Sequence, residues 1–158
     1  MMVLVLYVML LFQLLEILNA SGAFEDLSNG LMKLCKSPRS GELVCYLAAS
    51  LGSAVTGGSG IAILFFGSLV RKITKMFNID RRRGANILDG VACGATGLLP
   101  YGNTVVISLG VVLSIEGMSQ FSFLNIMPYT FHCWGLLLIF LISILTGIGR
   151  RFETNEEN

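Results

Sequence analysis

The sequence predicts an all-α integral membrane protein, and three observations lead to this prediction. Apolar residues make up 54% of the 158 residues, whereas Asp, Glu, Lys and Arg make up 13%, compared with roughly 25% in a soluble domain. No charged residue falls in 43–70, 90–115 or 117–149, and each stretch reaches the ~20 residues that cross a bilayer. The mean hydropathy is +0.74. The chain is therefore predicted to lie in lipid.

The charges nearly cancel, since 11 basic residues oppose 10 acidic ones. No net field points to nucleic acid or another polyanion. The charge-free apolar stretches make the lipid bilayer the predicted partner. The four cysteines show no CxxC pairing, and no HExxH, GxSxG or P-loop motif occurs. The sequence therefore predicts no enzyme, no metal site and no cofactor.

Residues 1–151 are predicted to form one transmembrane domain that opens with two short helices. Residues 1–18 are apolar except for Glu16, and they lack the basic n-region of a signal peptide. A transmembrane helix is therefore favoured over a cleaved signal. Residues 23–36 place apolar side chains at helical spacing with charges elsewhere around the wheel, which is typical of an amphipathic helix in the membrane interface.

A re-entrant hairpin is predicted for residues 43–70, because residues 56–60 read Thr-Gly-Gly-Ser-Gly. Each glycine in a helix costs about 1 kcal/mol relative to Ala, so two half-helices of roughly 13 and 10 residues are expected, each too short to span alone. Basic residues flank both ends, and the positive-inside rule prefers both flanks in the cytoplasm. A single broken crossing is the alternative.

A discontinuous transmembrane helix is predicted for residues 84–115, with its break at Pro100, Tyr101 and Gly102. Proline removes a backbone donor and clashes with the preceding turn, and glycine loosens the chain beyond it. Residues 116–128 are predicted to form an external loop and residues 129–149 a last span. Arg150 and Arg151 then mark a cytoplasmic end before the polar tail 152–158 of a multi-pass protein of the cell membrane.

The two interrupted segments are the strongest indication of function, because such pairs are typical of transporter binding sites. Each break frees backbone N–H and C=O groups, and helix ends present partial charges to an ion. Kinks for helix packing are the alternative. Gly58 is expected to allow a close approach or a conformation that a bulky residue cannot share. The candidate ion or substrate ligands at the breaks are Thr56, Gly57, Gly58, Ser59, Asn103 and Thr104.

Asp89 is the one acid inside the central apolar block. Acids within membrane segments are costly and usually functional, which favours an ion- or proton-coupling carboxylate. A carboxylate in the first helical turn that pairs with an arginine at the interface is the alternative. Helical spacing favours a polar lining, because it places on one face Asn86, Asp89, Cys93, Thr96 and Pro100.

Two runs of the sequence, TGGSGIAILFFGSLVRKI and RRRGANILDGVACGATGLLPYGN, resemble the carboxy-terminal half of NhaC-type sodium/proton antiporters of the ion transporter superfamily. The resemblance covers residues 5–150. It implies one repeat of an inverted-repeat transporter, with a hairpin tip at 56–60 and a helix break at 100–104 around a midplane site. Many relatives carry Asn at the tip, where this chain has Gly57 and Gly58. Thr56, Ser59 and backbone carbonyls are therefore the ligands that the resemblance leaves there.

The activity implied by the resemblance is Na⁺/H⁺ antiport, with Na⁺ and H⁺ as transported ions. Complete relatives are longer, so the chain is expected to work as one half of a transporter, together with a missing amino-terminal half or a second copy of itself. A Na⁺-coupled organic anion carrier is one alternative. Another is a non-transporting membrane fragment or accessory subunit.

Overall fold

The computed structural model describes residues 9–10, 13, 16–17, 20–115, 117 and 120–152. Most of the predicted first span, 1–18, and the tail from 153 onward lie outside these residues. The described part of the chain is helical apart from an isolated bridge between Ile79 and Phe152, which confirms the all-α class. The helices are α1 (Ala23–Lys33), α2 (Pro38–Thr56), α3 (Ser59–Met76), α4 (Arg81–Gly97), α5 (Asn103–Leu113), α6 (Phe123–Ile126) and α7 (Phe131–Thr146), with a 3-10 turn at Met127–Tyr129.

Local sequence signals explain where α2 and α4 begin. Ser37 caps α2 by accepting a hydrogen bond from the Ser40 N–H at 3.2 Å, and Pro38 occupies the first turn. Asp80 caps α4 by accepting from the Arg82 N–H at 2.8 Å. Both helices begin within charged sequence, so they start earlier than the apolar runs that predicted them.

Helices α2 and α3 form an antiparallel hairpin. Gly41 of α2 lies against Ile73 of α3, and Gly52 lies against Phe66, so the start of α2 faces the end of α3. A Cβ atom at Gly52 would come within 2.7 Å of the Phe66 ring, and the glycine therefore sets the close approach of the two helices. With 19 and 18 residues, these helices are longer than the predicted half-helices because their charged ends are also helical.

Helices α4 and α7 complete the packed unit. The Ser53 hydroxyl of α2 donates to the Ala92 carbonyl of α4 at 3.2 Å, while Gly90 and Gly94 of α4 face Phe140 and Leu137 of α7. Helix α4 therefore runs parallel to α2 and antiparallel to α7. The shared core consists of apolar side chains such as Val44, Cys45, Ala49, Leu69, Ile73, Ile87, Val91 and Ile144.

We call the end where α2 and α4 begin the basal end, and the end at residues 56–60 the tip end. Helix α5 leaves the packed unit at the tip end, and Val105 is its one buried residue. Among the described residues, no single helix is both long and apolar enough to cross a bilayer, but the pair Phe123–Tyr129 and Phe131–Thr146, bent by 55°, meets that test together.

Candidate functional site

The hairpin tip and the α4–α5 break lie in contact. The Asn103 N–H, at the start of α5, donates to the Gly57 carbonyl at 2.9 Å. The Tyr101 hydroxyl donates to the Ala54 carbonyl in the last turn of α2. The fold therefore brings together the two interrupted segments, which lie more than 40 residues apart in sequence.

The tip itself is held by a threonine and a glycine. Gly57 ends α2 in the left-handed conformation, with φ of 64°. The Thr56 hydroxyl lies 2.8 Å from the Gly52 carbonyl and 3.0 Å from the Gly58 carbonyl. Thr56 therefore ties the tip to the last turn of α2. Its oxygen also accepts from the Gly58 N–H at 3.4 Å, which leaves one lone pair for a cation.

Gly58 does not adopt a backbone conformation that excludes a bulky residue, whereas a close approach that excludes side chains larger than alanine stays a prediction. Gly58 is extended, with φ of −141°, and a Cβ atom there would make ordinary contacts at 3.6 Å with Ile61 and 3.9 Å with Asn103. The conformation that favours glycine occurs one residue earlier, at Gly57, because Gly57 is the residue that terminates α2.

The helix break covers residues 98–102, between the end of α4 and the start of α5. Gly102 is buried, and a Cβ atom at this position would collide with the Thr96 carbonyl oxygen. Pro100 and Tyr101 are exposed. The break is therefore compact at Gly102, with Pro100 on its outer side.

The polar side chains after the break remain accessible. Asn103 and Thr104 are both exposed, and the Thr104 hydroxyl donates to the Asn103 side-chain oxygen at 3.2 Å. Ser59, across the contact, is half-buried. Together with Thr56 and the local carbonyls, these groups place several oxygen atoms at one end of the helix unit.

The termini of α2, α3, α4 and α5 meet where the hairpin tip contacts the break, and α7 also begins at the tip end, with Cys133 against Gly97. Helices α2 and α4 end there, which brings the partial negative charge of their last carbonyls, and α3 and α5 begin there. Such an arrangement can attract a cation through carbonyl and hydroxyl oxygens and an anion through N–H groups. Among the described residues, no three His, Cys, Asp or Glu side chains cluster as ligands for a metal ion.

Asp89 lies away from this contact. It precedes the end of α4 by eight residues, which is about 12 Å along the helix, and its carboxylate is exposed. Its partner is the Cys93 thiol at 3.8 Å. Within the described chain, no basic side chain pairs with Asp89.

The predicted polar face of α4 is divided. Asn86, Asp89 and Cys93 are exposed, whereas Thr96 is buried and turns its hydroxyl back to the Ala92 carbonyl at 2.8 Å. The exposed part forms a polar stripe that no described helix covers. The tip end and this stripe are therefore separate features of the molecule.

A buried ion cluster at the basal end was not predicted. Glu42, only 2% exposed, accepts from Arg83 at 3.2 Å and from Arg150 at 2.6 Å. Arg83 also donates to the Ser143 hydroxyl at 2.8 Å. We call these four residues the basal cluster; it joins α2, α4, the end of α7 and the segment after it.

A sequence signal for the basal cluster does exist. Glu42 shares a helical face with Cys45 and Ala49, three and seven residues later, which are both apolar. An acid on an apolar face needs a buried partner, so this pattern is the sequence signal that could have predicted the basal cluster.

All basic residues of the chain lie in or beside the basal end, and none lies at the tip end. They occur before and at the start of α2, in the last turns of α3, at the start of α4 and after α7. The set comprises Lys33, Lys36, Arg39, Arg71, Lys72, Lys75, Arg81, Arg82, Arg83, Arg150 and Arg151.

Comparison with models of protein families identifies a family for this chain. The model of the Na⁺/H⁺ antiporter family matches residues 1–148, nearly the whole chain. Neither a curated protein nor a solved structure matches it.

Proposed function

The chain belongs to the Na⁺/H⁺ antiporter family, and from this membership we propose that it forms one repeat of a sodium/proton antiporter whose ion site lies where the hairpin tip meets the α4–α5 break. The family consists of membrane proteins that transport ions by antiport, and they are transporters, not enzymes. We assign the chain to the NhaC type and to its carboxy-terminal half, because the tip and break motifs resemble that half.

One observation carries the proposal, the hydrogen bond from the Asn103 N–H to the Gly57 carbonyl. It joins the two interrupted helices at the point where four helix termini meet. Na⁺ is a hard cation that is bound by oxygen atoms, and such sites in transporters use carbonyls of unwound backbone and helix C-terminal ends. The proposed ligands are drawn from the carbonyls at Gly57 and Gly58 and from the side chains of Thr56, Ser59, Asn103 and Thr104.

Charge and length support a re-entrant placement of the hairpin. Under the positive-inside rule, the basal end with all the basic residues faces the cytoplasm, and so does the carboxy-terminus. The charge-free parts of α2 and α3, residues 43–56 and 59–70, extend about 20 Å at 1.5 Å per residue. This is about two thirds of the ~30 Å hydrocarbon core, so the tip ends inside the membrane.

We assign Asp89 to coupling. Its exposed carboxylate lies in the polar stripe of α4, and Arg83, from the preceding arginine cluster, pairs with Glu42 instead. An acid within the membrane without a basic partner is suited to exchange a proton.

A second membrane unit is proposed to cover the polar stripe and α5. Helix α5 exposes more than half of the surface of three apolar side chains, Val106, Ile107 and Val111. Asp89 is also exposed, and none of the described helices covers it. A partner half or a second copy of the chain would enclose both surfaces and complete the site.

A Na⁺-coupled organic anion carrier is the second candidate function. This function is favoured because α3 and α5 both begin at the proposed site. The free N–H groups at the N-terminus of a helix can bind a carboxylate. Transport of Na⁺ that requires an organic anion and moves no proton would select this function.

The test is sodium-dependent pH change in vesicles that contain the chain alone, and then the chain with its candidate partner half. The antiport proposal expects a Na⁺ pulse, but not a choline pulse, to drive proton movement when the site is complete. Asn103→Ala should abolish it, while Ser68→Ala, an exposed position of α3 nine residues beyond Ser59, should leave it intact. If neither vesicle shows a pH change with Na⁺, and neither takes up Na⁺ when an organic anion is present, the chain is instead a non-transporting accessory subunit.

A further inference from the structure

A second candidate site lies at the basal end, away from the proposed ion site. A groove of about 340 Å³ runs between the first half of α2 and the last turns of α7. Its walls are mostly apolar, and its lining includes Leu34, Arg39, Leu43, Leu47, Ile144 and Leu145. Its volume is at the lower limit of small-molecule sites.

The groove has a direction. Arg39, Leu43 and Leu47 follow one another at intervals of four residues, so they form a stripe along α2 about 12 Å long. Leu47 is 45% exposed and Leu145 is 56% exposed. The stripe therefore leads from a cation at the helix start to leucines that are open to the membrane.

The mouth of the groove is electropositive. Arg39 is exposed, and within the described residues no acidic side chain pairs with it. The nearest acid in α2, Glu42, points into the basal cluster, where two arginines already neutralise it. The positive end of the α2 dipole adds to the field of Arg39.

We propose that this groove binds an anionic phospholipid of the cytoplasmic leaflet, with one acyl chain along Leu43 and Leu47 and the phosphate on Arg39. Guanidinium groups pair with phosphate in a two-pronged geometry, and basic pockets between membrane helices on the cytoplasmic side bind anionic headgroups. The proposal uses the membrane location and the charge asymmetry of the chain, and it does not depend on the ion site.

The experiment measures lipid binding to the full chain in a neutral detergent. Phosphatidylglycerol, phosphatidylcholine with the same acyl chains, and glycerol phosphate are titrated separately, and binding is followed by native mass spectrometry and by the melting temperature. We expect phosphatidylglycerol to bind more tightly than phosphatidylcholine and to raise the melting temperature, and glycerol phosphate to have little effect because it lacks acyl chains.

Two variants and one control localise the site. Arg39→Gln should raise the Kd for phosphatidylglycerol about fivefold, because one basic residue at an anionic surface contributes about 1 kcal/mol of binding free energy. Leu145→Trp should fill the groove and weaken both lipids. Arg82→Gln removes an exposed arginine at the same end of the molecule, and it should leave binding within about twofold of the parent.

Four results would overturn the proposal. They are equal binding of the two phospholipids, equal losses in Arg39→Gln and Arg82→Gln, full binding by Leu145→Trp, and a full response to glycerol phosphate alone. Loss of phosphatidylglycerol binding when a partner half is added would also count against it, because the groove would then be a protein interface. Unchanged helicity and elution volume establish that each variant is folded.

Discussion

The basal and tip ends of the helix unit satisfy their buried polar groups in different ways. At the basal end, the carboxylate of Glu42 is held by the side chains of Arg83 and Arg150. At the tip end, backbone groups of Gly57 and Asn103 hold two helix ends together. Helices at the basal end are thus held together by ion pairs between side chains, whereas those at the tip end are held together by a backbone hydrogen bond.

The difference has an energetic consequence. Removing one member of a buried ion pair costs about 3–5 kcal/mol, whereas one ordinary hydrogen bond contributes about 1 kcal/mol. The basal end is therefore expected to stay fixed, while the tip contact is weak enough to rearrange around an ion. A transporter needs both properties, because a moving site requires a stable frame.

The largest effect is expected at the basal cluster. Glu42→Gln keeps the shape but leaves two arginines without a buried counter-charge, and it should destabilise the fold by about 3–5 kcal/mol. Thermal unfolding of the purified chain measures this loss. Asp26→Asn removes an exposed acid on α1 and should shift the melting temperature little. Equal shifts in the two variants would show that the basal cluster is not a fixed frame.

The next effect concerns the compact side of the helix break. Gly102→Ala places a methyl group against the Thr96 carbonyl oxygen. The backbone must shift to remove this overlap, which should lower the free energy of unfolding by about 1–3 kcal/mol. Gly110→Ala, in the open part of α5 with nothing within 4 Å, should be neutral or slightly stabilising, since Ala favours a helix by up to about 1 kcal/mol. Chemical denaturation compares the two. Similar stabilities would mean that the break is loosely packed.

A smaller effect separates the two tip glycines. Gly57→Ala forces a side chain into the left-handed region, which costs about 1–2 kcal/mol, while Gly58→Ala has room in an extended conformation and should cost less than about 0.5 kcal/mol. Both stabilities are measured under the same conditions. A larger loss at Gly58 would contradict the position of the helix end at Gly57.

The smallest effect on stability is expected at Asp89, which belongs to neither end. Asp89→Asn should change the free energy of unfolding by less than about 0.5 kcal/mol, because the side chain is exposed. The same variant in an assembled transporter should lose the pH dependence of Na⁺ movement. Reduced stability with an unchanged pH profile would instead assign Asp89 a structural role.

Local sequence signals indicate both breaks, whereas for the basal cluster they indicate only that Glu42 needs a buried partner and not which residues supply it. Glycine and proline constrain the backbone at and beside their own positions, so residues 56–60 and 100–102 predict where helices are interrupted. The partners of Glu42, Arg83 and Arg150, lie 41 and 108 residues away in sequence. A local sequence pattern cannot predict contacts between residues so far apart in the chain. The predicted helices are too short because the apolar runs indicate only the part of each helix that suits a lipid environment. Helix α3 continues beyond its apolar run through Lys72 and Lys75.

Hydrogen–deuterium exchange of the assembled transporter, with Na⁺ or choline at equal ionic strength, tests most directly whether the two breaks form one ion site. The account predicts that Na⁺ slows exchange of the backbone amides in 56–60 and 98–104 together, and leaves 38–42 and 81–84 at the basal end unchanged. Protection of only one break, of both ends equally, or of neither break would contradict it.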